Sequence, residues 1–232
     1  MKNTLIGKLY PLWLSSQTDL NDVIRWSHCL DDENKMRRQS TMAHTVSVCL
    51  VIQVAIMLLK KYNPDLDVAL LQRAFQFHDI SEGLLKRDIM YHHKVDNDDV
   101  NEFFAFEEQI SGLPTDIRYQ LIEAFLLQFA EKNSEAFPER ARHIMTKLWD
   151  EKRIECLCFA ALESWEYHFY AYEMEETESH EYLMTWVLQK QTHRLQKYAE
   201  TIPGFREEIF TLEHEEFALS YMKEHSHVPQ QK

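Results

Sequence analysis

Four glycines and six prolines in 232 residues leave little of the turn chemistry that a β-sandwich or barrel needs. The apolar positions recur mostly with a period of 3.6 rather than 2, and no convincing strand can be drawn, so the chain reads as all-α. No Gly/Ser/Pro-rich linker, internal repeat or low-complexity stretch divides it, and 45% hydrophobic content suffices for one large core. Basic residues are in deficit, 25 against 38 acidic, and a formal charge of −13 repels nucleic-acid backbones. Cysteine is scarce too. Two of the four, Cys156 and Cys158, sit two apart in a helical stretch and face different ways, which suits neither a disulfide framework nor a zinc knuckle. The longest apolar run, Val46 to Leu59, contains Ser47 and Gln53 and stops at Lys60-Lys61, too short to span a bilayer. Lys8, Tyr10 and Pro11 interrupt any signal-like stretch in MKNTLIGKLYPLWLSS. The expectation is a cytoplasmic protein with no membrane contact.

What is present is a series of amphipathic segments. The pattern predicts helices over about Leu20–Leu30, Ala43–Tyr62, Asp67–Ile80, Asn101–Ile110, Pro114–Lys132, Pro138–Glu176 with a break, His180–Tyr198 and Gly204–Glu224. The whole chain, 1–232, is expected to form one domain with its core over about 20–176 and the helices of 180–224 packed on it.

Two of these segments carry polar groups on their inward faces. Leu70, Ala74 and His78 form one stripe, and Leu71, Phe75 and Asp79 the next, so the His78-Asp79 pair continues a buried surface. His44 opens the run of Val48, Val51, Ala55 and Leu59 and also points inward. Any one of these alone is a satisfied core histidine, or an N-cap aspartate for a turn starting at Ile80. Two imidazoles and a carboxylate together need hydrogen bonds, mutual pairing or a metal to offset their desolvation. Farther along, Glu155 shares a face with Cys158, Phe159 and Leu162 in a segment apolar nearly all round. It is either a buried carboxyl kept neutral by a hydrogen bond or the last ligand of the metal; Glu163 is its nearest rival.

His44, then His78-Asp79, then an acidic residue in a later helix resembles the H...HD...D pattern of the HD-domain phosphohydrolases. The local text is most similar to their 5'-deoxynucleotidase branch. Arg25-Trp26 in VIRWSHCL resembles an Arg-Trp pair ahead of the first ligand, RRQSTMAHT its basic approach, and HDISEG the HD-x-x-E motif. Asp88 and Lys94 fall where the branch has an Asp and a Lys, and RIECLCFAALES resembles the last-ligand segment. The resemblance runs from about Arg25 to Glu175. The chain departs from the pattern in having Glu155 for the usual Asp, Ala43 for the usual Glu, a longer loop between Trp26 and His44, and an insertion between Pro114 and Leu148.

The resemblance implies an HD-type helical bundle. It implies one divalent ion, Mn²⁺, Co²⁺, Fe²⁺ or Zn²⁺, held by His44, His78, Asp79 and Glu155, with ligand type unable to choose among the metals. It further implies hydrolysis of deoxyribonucleoside 5'-monophosphates to deoxynucleoside and phosphate. Glu82 would deprotonate a metal-bound water; Arg25, Trp26, Asp88 and Lys94 would hold a small nucleotide substrate. A homodimer is admitted by the resemblance alone. Without it, Arg25-Trp26 is an amphipathic helix pair with Trp26 in the core, and Glu82 a solvated helix-end residue. The alternatives are a non-catalytic nucleotide- or metal-binding module and a phosphohydrolase of dNTPs or cyclic nucleotides.

Overall fold

Helical periodicity is realised as helices: in the computed structural model, which describes residues 9, 19–25, 39–86, 95–178 and 181–226, the sole β-type pairing among the described residues is one antiparallel bridge, Ile24 to Ser40. The all-α expectation holds. The elements are α1 (Leu20–Asp22), α2 (Thr41–Lys60), α3 (Val68–Phe77), α4 (Ile80–Leu85), α5 (Asp96–Ile110) and α6 (Thr115–Leu126), which tightens into a 3₁₀ turn at Leu127–Phe129. They continue as α7 (Glu139–Glu151), α8 (Arg153–Glu178), α9 (Glu181–Thr201), α10 (Phe205–Glu208) and α11 (Leu212–Glu224).

Three expected helices are divided in the structure. The segment from Leu20 is helical only through Asp22; Val23 turns extended, and the bridge to Ser40 is closed by Arg25 N–H donating to the Gln39 carbonyl (3.0 Å) and Thr41 N–H to the Val23 carbonyl (2.9 Å). Arg25 is therefore on an extended strand-like stretch beside the start of α2, not on a helix. The segment from Asp67 ends at Phe77, because Asp79 takes φ −98°, ψ 1°, between the helical and extended regions, and α4 restarts the chain in a new direction. The last segment divides into α10 and α11.

Side chains start these helices. Ser40 Oγ accepts the Ala43 N–H, Asp67 Oδ1 the Leu70 N–H, and Thr211 Oγ1 the His214 N–H. Gly204 adopts φ +84° in the turn after α9, where a Cβ would fall 2.4 Å from the Tyr62 ring, so both conformation and space require glycine.

The main core joins α2, α3, α5, α6, the 3₁₀ turn, α7 and α8, with stacked pairs Phe75–Phe159 (4.4 Å) and Phe106–Phe125 (4.3 Å) at its centre. The second half of α9 enters this core through Leu195, Tyr198 and Ile202; its first half, with Leu183, Met184 and Val187, packs with Tyr170, Ala171 and Ala218 in a smaller cluster. Burial pushes the Cys156 and Cys158 thiols up to about 12, so both are inert core residues.

One expectation about length is corrected. Thr41, Met42, Ala43 and His44 add no fixed charge ahead of Val46, so the helix Thr41–Lys60, with Lys60 its one fixed charge, is long and apolar enough, by length and composition, to cross a membrane. Its inward side, with Val48, Ile52, Ala55, Ile56 and Leu59, lies in the main core, while Val46, Leu50, Val54 and Met57 form an exposed apolar stripe.

Candidate metal centre

The break between α3 and α4 turns Asp79 toward the first turn of α2, and the three ligand atoms of His44, His78 and Asp79 lie within 4.8 Å of one another, all buried. Asp79 Oδ2 is 3.1 Å from His78 Nε2 and 3.4 Å from His44 Nε2. The carboxylate makes no capping bond to α4, although Asp79 stands at the N-cap position. An ordinary helix cap does not account for it.

The other ring nitrogens decide what the Nε2 atoms offer. His78 Nδ1 lies 2.9 Å from the Phe75 carbonyl, which only accepts, so Nδ1 carries the proton. His44 Nδ1 lies 3.1 Å from Glu166 Oε1, and Glu166 is held ionised: burial works against its charge, but His44 and Arg25 outweigh burial and lower its pKa. His44 Nδ1 is thus a donor as well. In the neutral tautomers both Nε2 lone pairs then converge with a carboxylate oxygen on one point, three electron-pair donors with no proton between them. Either the imidazoles protonate or a cation enters. The carboxylate–histidine pairing through Glu166 and the carbonyl–histidine pairing through Phe75 are the outer contacts that orient imidazole ligands. Glu166 Oε2 is in addition buried without a hydrogen-bond partner. The donor set suits a borderline or hard divalent ion.

In the ion-free geometry the charges settle among the side chains. Burial opposes ionisation of Asp79, but His78, Arg25 and His44 outweigh it and hold the carboxyl well below the usual range. Burial likewise opposes the charged form of His78, and Asp79 more than offsets it, raising the imidazole pKa. Packing fixes the His78 ring edge-on to Phe75 and Phe159 and near His44.

Two further expected residues join the centre. Arg25 Nη1 donates to Asp79 Oδ2 at 3.1 Å, its side chain buried and its guanidinium 5.8 Å from the Tyr167 ring centroid. Glu82, on α4, is buried and its Oε2 accepts from Thr41 Oγ1 at 3.0 Å; Thr41 lies one turn before His44 on the same face of α2. Glu82 is a buried group beside the centre rather than a solvated helix-end residue.

Glu155 is a correction. Its face is inward, as expected, but its Oε1 accepts the Asp67 N–H at 2.7 Å, at the start of α3, whereas His78 follows the end of that helix. Eleven residues of rise place the two roughly 16 Å apart along the axis. Glu155 instead ties the entry of α3 to the start of α8, beside the Lys152–Asp67 ion pair of 3.1 Å. The acidic residue of α8 that contacts the centre is Glu166, through His44, while the charge of Glu163 on the same helix adds, after that of Asp79, to raising the pKa of His78. Glu166 was not foreseen; the signal was there in ESWEYHF, where two acids three apart lie in a nearly all-apolar helix. Trp26, Asp88 and Lys94 lie outside the described residues.

Comparison with protein-family models, with curated proteins and with solved structures found nothing that matches the chain.

Proposed function

We propose that the protein is a metal-dependent phosphomonoesterase that hydrolyses deoxyribonucleoside 5'-monophosphates, as its resemblance to the HD-domain 5'-deoxynucleotidases implies. The observation that carries the reading is the convergence of His44 Nε2, His78 Nε2 and Asp79 Oδ2 within 4.8 Å, with both Nδ1 atoms tied to acceptors. A divalent ion held there would act as Lewis acid toward the phosphate and lower the pKa of a bound water. Glu163 supplies the remaining carboxylate from α8 in place of Glu155.

Arg25 contributes a buried guanidinium at the edge of the cluster, positioned by the bridge that fastens residues 23–25 to the start of α2. Its fork suits the non-bridging oxygens of a phosphate, which lysine cannot engage in the same way. Glu82 takes the proton of the attacking water; Thr41 holds its Oε2 in place from one turn before His44. Tyr167 of α8 lies against Arg25, its ring centroid 5.8 Å from the guanidinium. The preference for deoxyribose rests on the Arg25-Trp26 resemblance, and loose base selectivity follows from a site built around phosphate and sugar.

The test is metal analysis of the purified protein, with phosphate release measured across dNMPs and NMPs in Mn²⁺, Co²⁺, Mg²⁺ and Zn²⁺. Glu82→Gln is expected to keep its metal and lose ~10²–10⁴-fold in kcat. Stoichiometric metal with no phosphate release from any nucleotide would replace this reading with the metal-binding module. Undiminished kcat in the variant would remove Glu82 from the chemistry.

A further inference from the structure

Late in the chain, aromatic side chains and acids share the same helix faces. On α8, Trp165, Phe169, Tyr172 and Glu176 recur three and four residues apart and form one stripe; on α11, Glu213 and Phe217 are one turn apart. The two helices run in the same direction, since His168 meets His214 (5.2 Å between ring centroids) and Tyr172 meets Phe217 (6.3 Å).

Between them lies a groove of about 450 Å³, with Met184 of α9 beneath it and Phe169, Tyr172 and Phe217 along its sides. Met184 is buried and packs with Tyr170, Ala171 and Ala218 in the smaller cluster, so the floor belongs to the core. The sides are left in water: Phe169, Tyr172 and Phe217 are 44%, 48% and 42% exposed. Trp165 holds the Phe169 ring edge-on at 4.5 Å. Aromatic rings exposed together along a groove are the composition of a contact surface.

The charge around the rings selects what covers them. Glu213 borders the groove at one end, and Glu176, one turn past Tyr172, follows at the other; both are exposed. From Phe169 to Glu178, α8 carries four acids and no lysine or arginine, and α11 carries four acids against Lys223. One of the eight, Glu215, is engaged by Arg206 and Gln196. The exposed stripe of α2 has no such border, Thr41–Lys60 containing no acid. Acids on both ends of the groove repel an anionic lipid surface, and a second copy of the chain would bring a further formal charge of −13. Both walls are helical, so the groove offers no sheet edge to an extended peptide. From Glu213 to Phe217 the helix rises about 6 Å, close to the turn of about 5.4 Å that separates neighbouring anchors on a partner helix.

We propose that the groove between α8 and α11 is a docking site for a basic amphipathic helix of another protein, which sets apolar side chains one turn apart among Phe169, Tyr172 and Phe217 and places lysines or arginines against Glu213 and Glu176. The surface shares no residue with the His44, His78 and Asp79 cluster, so it stands or falls separately from the phosphohydrolase reading.

Three capped peptides, each of two heptads, serve as probes: LKKLLKL, which is amphipathic as a helix; LKLKLKL, of identical composition and charge but with a period of two; and LEELLEL, with the helical period and the opposite charge. Binding to the full-length protein is measured by fluorescence anisotropy at about 150 mM salt, where long-range attraction to the acidic surface is screened. The LKKLLKL peptide is expected to bind saturably, at least about tenfold more tightly than LKLKLKL, with no saturable binding of LEELLEL. Phe217→Ala should weaken LKKLLKL at least about tenfold. Glu213→Lys with Glu176→Lys should do the same, whereas Glu108→Lys with Glu135→Lys, an equal change of net charge at exposed sites outside the groove, should leave the affinity unchanged. Equal affinity for the two cationic peptides would mean adsorption of any polycation, and binding of LEELLEL as tight as that of LKKLLKL would mean that charge plays no part. Either result overturns the proposal, as would equal losses in the two charge-reversed proteins or an unchanged affinity in Phe217→Ala; the comparison of peptides needs no variant that must fold.

Discussion

At the scale of single residues, the centre depends on where protons are not. Each histidine of the candidate centre donates its Nδ1–H to an acceptor, one to a main-chain carbonyl and one to Glu166, and so turns a lone pair inward. The two devices differ in strength, because a carboxylate makes the imidazole a better electron donor than a carbonyl does. Glu166→Gln keeps an oxygen for His44 Nδ1–H but removes the charge. Metal affinity is expected to fall ~10–100-fold with the fold intact, and titration of Mn²⁺ or Co²⁺ into apo protein measures it. An unchanged Kd would make Glu166 a bystander. The same bond has a pH signature. Since the folded state lowers the Glu166 pKa below its ordinary 4.5, the unfolded chain binds the extra proton first as pH drops. The contribution of the bond is complete above the unfolded value and is lost as pH falls through the folded one.

At the scale of elements, position along a helix separates the two acidic candidates that face alone could not. The period of 3.6 places Glu155 inward, and inward it is, but period says nothing about which end of a neighbouring helix a side chain will meet. α8 runs alongside α3, so that its first turn meets the start of α3 and its third and fourth turns lie by the candidate metal centre beyond the end of α3. Glu155→Ala is therefore expected to leave metal affinity unchanged and to cost roughly 1–3 kcal/mol by stranding the Asp67 N–H, read as a lower urea midpoint. A weakened metal Kd would restore Glu155 to the ligand set. Much else was legible at this scale: the long helices and the inward faces of His44 and His78 follow from periodicity, and a break within 138–176 was expected, though its position before Arg153 was not. The end of α3 at Phe77 was not, because neither glycine nor proline marks it and Asp79 is turned by contacts with groups distant in sequence, His44 and Arg25. The extended stretch at Val23–Arg25 was hidden for the same reason, its partner being Ser40 across an intervening loop.

At the scale of the whole molecule, the centre is where separate parts of the fold meet: α2 through His44, the α3–α4 junction through His78 and Asp79, α8 through Glu166, and the stretch before α2 through Arg25. An ion bound there would cross-link all of them in the native state alone, since the unfolded chain scatters the same groups over more than 120 residues of sequence. By linkage, an ion at 100 times its Kd adds ~2.7 kcal/mol, which for a chain of this size raises Tm by roughly 5–10 °C. A protein with 38 acidic residues against 25 basic ones also gathers divalent ions loosely over its surface, and that too would raise Tm. The control is His78→Ala with Asp79→Ala, which removes two ligands but only one of the 38 acids and so keeps the surface field almost intact. The double variant should start from a lower Tm, having stripped Arg25 of its carboxylate partner, and should then gain almost nothing from added Mn²⁺ or Co²⁺. Calorimetric scans of both proteins with chelator and with metal give the two increments. Equal increments would mean that the stabilisation comes from the acidic surface and that His44, His78 and Asp79 hold no ion.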